Sequence, residues 1–171
     1  MKTASELAEI QAVVYDDVPR GWRVDVLGGQ LIVNPPASPN HNRIARLLDA
    51  ALDSARPADL AVTSQGDGFY APDDECWVPD IAVFASRCVN AARYQAADLV
   101  LAVEVLSPSN RHGGYLTMMI DRQRRFGCKW LAIVDPAART ITWYDAAGQA
   151  ASGPAWAGGI RFPVGASLDQ D

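Results

Sequence analysis

Two carboxylates stand out because each is set against an apolar run. Asp80 sits in Val78-Pro79-Asp80-Ile81-Ala82-Val83-Phe84. Glu104 sits in Leu99-Val100-Leu101-Ala102-Val103-Glu104-Val105-Leu106, which Ser107-Pro108-Ser109 terminates. A charge inside such a run is costly unless something pairs with it or binds it. Two strand acids without a neighbouring cysteine or histidine motif suit a hard divalent cation. Magnesium is held by one or two carboxylates while keeping waters and substrate phosphate oxygens. It polarises a phosphoryl oxygen and lowers the pKa of an attacking water. The plainer alternative has Asp80 capping a turn and Glu104 pairing with an arginine.

Other residues could support such chemistry, each with a plainer role beside it. The run Arg122-Gln123-Arg124-Arg125, with Arg111, could contact phosphate. It could equally be a solvated helix face with charges suited to a helix C-terminus. His41 opens a helix beside a proline loop, as a capping or surface residue or as a site-lining one. His112, in the loop after Glu104, is either solvated or a proton shuttle. Ser107 bonds the local backbone or touches a metal shell. Gly113-Gly114 is not a phosphate-binding glycine loop, because no P-loop lysine follows. Trp130 and Trp143 lie in apolar strands and read as core.

The elements that must position these groups follow from periodicity. Leu7, Ile10, Val13 and Val14 space a helix over residues 5–15. Residues 22–27 alternate, Gly28-Gly29 turns, and 30–33 return as a hairpin. A stiff proline loop over 34–39 leads into a helix over 40–56, whose apolar stripe is Ile44, Leu47, Leu48, Ala51, Leu52 and Ala55. Short strands are expected over 60–64 and 68–70, then the two acid-bearing strands separated by a partly helical link over 86–98. A helix over 115–126 places Leu116, Met119, Ile120 and Gln123 on one face, with Gly127 at C′. Strands over 129–134 and 140–144 follow, and one more near 160–162. The fold class is α/β (α+β), with a mixed central sheet flanked by helices.

The chain has 171 residues, 49% hydrophobic and 20% charged. That is ordinary for one globular domain, expected to span 1–171 with its core at about 20–145. No stretch approaches the ~18 apolar residues of a membrane span, and the amino terminus lacks the apolar core of a secretory signal. Cys76, Cys88 and Cys128 have no metal-finger spacing and read as reduced thiols, so a cytoplasmic location is expected. The net charge of −5 argues against a constitutively basic nucleic-acid surface. It does not exclude a nuclease, since a metal supplies local positive charge.

Taken together, Val78 to Val83, Val103 to Ser109, Gly127 to Trp130 and Ile133 to Pro136 resemble the Uma-two family. So do the hairpin at Gly29-Gln30-Leu31, the loop from Pro35 to Pro39, and His41. The resemblance covers about residues 20–145. This is a bacterial endonuclease family of the restriction-endonuclease-like, PD-(D/E)XK fold. It implies that Asp80 and Glu104 bind Mg²⁺ or Mn²⁺ (one or two ions), with the Val105 backbone carbonyl as a further ligand, and that the substrate is DNA. It also implies a homodimer as one mode of assembly. Supporting candidates are Gln30, His41, Ser107, His112 and Arg122.

The chain departs from the family pattern in its third catalytic element. The superfamily lysine two residues after the glutamate is Leu106 here. The family's alternative lysine, eight residues before Gly127, is Met119, and the usual Gly-Glu of the hairpin reads Gly29-Gln30. Only Lys2 and Lys129 are lysines. Arg122, one turn beyond Met119, could stabilise phosphate charge but cannot serve as a base. Three readings follow: a magnesium-dependent DNA endonuclease, a degenerate relative that binds nucleic acid or protein without turnover, and a subunit completed in trans by its partner.

Overall fold

The computed structural model describes residues 22–27, 30–34, 36–64, 66–73, 75–108 and 114–163. The helix expected over 5–15, Arg111 and His112 lie outside the described residues. Among the described residues, eleven strands and two α-helices run in the order β1 (Arg23–Leu27), β2 (Gln30–Asn34), α1 (Pro39–Ala55), β3 (Leu60–Ser64), β4 (Phe69–Tyr70), β5 (Cys76–Trp77), β6 (Ile81–Ala85), β7 (Tyr94–Gln95), β8 (Leu99–Val105), α2 (Tyr115–Arg125), β9 (Trp130–Asp135), β10 (Thr140–Tyr144) and β11 (Ala150–Ala151). One-turn 3₁₀ segments at Ser86–Cys88 and Ala96–Asp98 form the helical part of the 86–98 link.

The strands form two sheets. The larger has the order β11-β10-β9-β8-β6-β3, and the smaller β2-β1-β5-β4-β7. The larger sheet is mixed: β8 and β9 are parallel, and its other neighbours antiparallel. Strands β6 and β8 are buried on both faces, which explains why they read as nearly continuous apolar runs rather than alternating ones. On one face Ile44, Leu48 and Leu52 of α1 pack on Ile81, Val83, Leu101 and Val103. On the other, Met119 of α2 and Phe126, just past its end, pack with Trp77, Ala82, Phe84 and Ala102.

Local sequence accounts for both helix boundaries that matter to the site. Ser38 caps α1 by accepting from the His41 backbone N–H at 3.2 Å, and Pro39 occupies the first helical position. Proline suits that position because the missing N–H is not needed there. At the end of α2, Gly127 adopts φ 61°, with Cys128 N donating to Gln123 O at 3.0 Å and Gly127 N to Arg124 O at 3.1 Å. That is the Schellman geometry expected of a C′ glycine.

Three expectations are corrected. Leu47 is 42% exposed and leaves the α1 stripe to Ile44, Ala45, Leu48 and Leu52. On α2 the buried residues are Met119, Arg122 and Gln123 rather than Leu116, which is exposed. No strand forms at 160–162; Phe162 is buried instead against the core, and β10 is paired by Ala150–Ala151.

Candidate active site

Ile81 of β6 pairs with Val103 of β8, so one step back and one step on bring Asp80 and Glu104 to facing positions at the sheet's end. Both line a cavity of about 190 Å³. They are nearly sealed from bulk water, at 6% and 5% exposure. Buried carboxylates need hydrogen-bond donors, and each has them. Asp80 Oδ2 accepts from the Val105 backbone N–H at 2.8 Å and lies 2.9 Å from His41 Nε2. Glu104 accepts from the Trp77 indole at 2.8 Å on Oε1 and from the Tyr115 hydroxyl at 3.4 Å on Oε2. A strand residue turns its N–H and C=O toward the same edge, so the Val105 carbonyl faces the Asp80 side as well.

A third acid enters the cavity wall. Asp25 of β1 is buried and accepts from Val78 N at 3.1 Å and Asn34 Nδ2 at 3.1 Å. It also ion-pairs with Arg122 of α2 at 3.1 Å. This pair ties the hairpin, the segment entering β6 and α2 to one point. The lining therefore carries three carboxylates (Asp25, Asp80, Glu104) and one guanidinium, a formal excess of two negative charges with His41 neutral.

The candidates read from sequence divide clearly. Asp80, Glu104, Val105, His41, Ser107 and Arg122 all line the cavity, and so does Met119. Gln30 is exposed at the start of β2, whose wall contribution comes from Ile32 and Asn34. His41 is no mere surface cap, because its ring is buried against Asp80. The basic run is not a free phosphate-binding face. Arg124 donates to Ala147 O at 2.7 Å, Arg125 pairs with Glu75 at 2.9 Å, and the buried Gln123 amide donates to the carbonyls of Cys128 and Asp145. Asp25, Trp77 and Tyr115 were not singled out from sequence. Asp25 looks like the polar face of an alternating hairpin strand. The one available signal for Trp77 is its place just ahead of the Asp80 strand.

Among the described residues no group of three or more His, Cys, Asp and Glu side chains is arranged as a metal cage. The donor set present is instead two carboxylates and a carbonyl edge, with a third carboxylate, Asp25, in the cavity wall. Those are hard oxygen ligands of the kind Mg²⁺ takes while retaining waters. The residues fit such an ion.

Comparison with known proteins bears on the fold and the family. A crystal structure described as a putative nuclease belonging to DUF820 from Anabaena variabilis superposes with a TM-score of 0.66 at 18% identity, covering 94% of each chain. At that identity the likeness establishes the fold: a central mixed sheet with flanking helices, shared with a nuclease-like protein. No curated protein matches the chain. A family model described as "Putative restriction endonuclease" matches residues 7–155. That span covers most of the sequence, both acids and the whole cavity wall, and the chain belongs to the Uma2 family of restriction-endonuclease-like proteins.

Proposed function

We propose that this chain is a metal-dependent endonuclease that hydrolyses phosphodiester bonds of DNA in the cavity between Asp80 and Glu104. One observation carries the reading: the two acids face each other across adjacent strands and line one cavity, with Asp25 as a third carboxylate in its wall. Asp80, Glu104 and the Val105 carbonyl would hold one or two Mg²⁺ or Mn²⁺ ions. Such an ion supplies Lewis-acid polarisation of the phosphoryl group and an acidified water.

The chain's own residues do the positioning. His41 and the Val105 N–H fix the Asp80 carboxylate, and Trp77 with Tyr115 fixes that of Glu104. Locked carboxylates hold reacting groups close to the attack geometry, where orientation is worth most. Met118, Met119 and Val78 supply apolar surface to the cavity wall. The reading takes the chain as a single cytoplasmic domain, alone or as a homodimer. No described helix is long and apolar enough to cross a membrane.

A second reading, binding of DNA or protein without turnover, is favoured by Met119, which stands on the cavity wall where the family pattern has lysine. Cleavage of plasmid and single-stranded DNA with Mg²⁺ or Mn²⁺ separates the two. Metal-dependent cutting that Asp80→Ala and Glu104→Ala each abolish is the expected result. No cutting, together with no measurable Mn²⁺ binding, would leave the second reading standing.

A further inference from the structure

We infer that Arg122 is the phosphate-holding cation of this cavity and that Asp25 is the residue that positions it. The inference rests on the nuclease reading for its substrate, but not for its geometry. Arg122 is 3% exposed and lines the same cavity as Asp80 and Glu104. Its Nη1 donates to Asp25 Oδ2 at 3.1 Å, and its guanidinium carbon stands 5.8 Å from the centre of the Trp77 ring. Its Nε and Nη2 are buried and have no hydrogen-bond partner among the described residues.

A guanidinium carries five N–H donors and never gives up its charge. Burying it with one nitrogen satisfied and two unsatisfied is a costly arrangement for a purely structural ion pair. Unfilled donors on a planar, permanently charged fork match the oxygens of a phosphate, which guanidinium binds in bidentate fashion. Arg124 and Arg125 are turned to other partners.

Position supports the assignment. Met119 and Arg122 are three residues apart on one face of α2, and both reach the cavity. The positive charge that Met119 does not supply therefore enters the wall one turn later. Asp25, bracketed by Asn34 and the Val78 N–H, holds one side of the fork and leaves the other for the ligand. It acts through Arg122 and touches no substrate.

The test is the salt dependence of binding of a short fluorescent oligothymidylate without metal, so that nothing is cut. Each phosphate neutralised contributes about 0.7 to the slope of log K against log salt for single strands. Arg122→Met is expected to lower the magnitude of that slope by about 0.7 and to weaken binding about tenfold. Arg122→Lys should keep the slope, and Asp25→Asn should keep the slope while weakening binding. If Arg122→Met fails to fold because Asp25 is left unpaired, the Asp25→Asn/Arg122→Met protein is compared with Asp25→Asn instead. An unchanged slope on loss of Arg122, or no binding by the wild type, overturns the assignment. An unchanged slope in Arg122→Met, with wild-type cutting in a separate assay with Mg²⁺ or Mn²⁺, overturns the assignment while the nuclease reading stands. A lowered slope in Arg122→Met, with no cutting by the wild type in that separate assay, sinks the nuclease reading and leaves the phosphate site.

Discussion

The Trp77 indole N–H donates to Glu104 Oε1 at 2.8 Å from across the interface between the two sheets. Trp77 is fully buried and belongs to the smaller sheet, whereas Glu104 is the penultimate residue of β8 in the larger one. The Glu104 carboxylate is thus held by the neighbouring sheet. Trp77→Phe keeps the ring contact with Phe126 but removes the donor. A hydrogen bond to a charged group contributes about 1.5–3 kcal/mol, so urea denaturation of the variant should show a loss in that range. A loss no greater than a surface substitution gives would mean that Glu104 draws its support from elsewhere.

The Asp25–Arg122 pair should show strong coupling. Removing one member of a buried pair costs about 3–5 kcal/mol because the other charge is left uncompensated. Asp25→Asn and Arg122→Met should each lower stability on that scale, Asp25→Asn less because its amide oxygen can still accept from Val78 N. The double variant should recover part of the loss. A double-mutant cycle by denaturant unfolding measures it, and strict additivity would show the two side chains to be independent.

Ser38 links helix capping to the site. Its hydroxyl accepts from the backbone of His41, whose ring contacts Asp80. Ser38→Ala should cost about 1 kcal/mol through loss of the cap. If the nuclease reading holds, it should also reduce turnover well beyond what that stability loss explains. Ser38→Asp, which restores a capping acceptor, should recover stability; the paired melting and cleavage assays decide the matter.

The thiols should differ sharply. Cys128 is buried, and desolvation pushes its pKa from 9.0 up to about 12. Cys76 is buried and Cys88 half-buried. Titration of the native protein with an aromatic disulfide reagent near pH 8 should modify Cys88 alone, and slowly, since its hydrogen bond to Asp98 raises its pKa too. Between pH 9.0 and about 12 the unfolded chain loses the Cys128 proton while the folded one keeps it. This thiol's stabilising contribution is therefore full below pH 9.0 and is lost as pH rises toward 12. Replacing Cys128 by alanine should flatten that part of the stability profile, as read from unfolding midpoints against pH.

The sequence made much of this frame legible, for local reasons. Gly127 marks the end of α2 because capping chemistry is written within three or four residues, whereas Ser38 and Pro39, read as loop, cap and open α1. Asp80 and Glu104 stood out because a charge against a β-branched run has few explanations. Asp25 did not stand out, since a period-two pattern shows which face of a strand is polar but not whether that face meets water or another element. It meets α2, through Arg122. The same blindness applied to the arginine run: Arg122, Arg124 and Arg125 look alike in sequence but have 3% exposure for the first and outward-facing side chains for the others. Leu116 and Leu47 failed for the opposite reason, because each helix packs a narrower stripe than its apolar residues could fill.

Where β6 begins, the last rung between it and β8 is not a backbone pair. The Val105 amide hydrogen is held by the Asp80 carboxylate, in the place where a ladder would offer a main-chain carbonyl. The amide is therefore a built-in spectroscopic probe. Its nitrogen and proton shifts and its exchange rate with solvent follow whatever happens to the Asp80 oxygens, and a heteronuclear spectrum would register occupation of the cavity through one backbone signal at the end of the central strand.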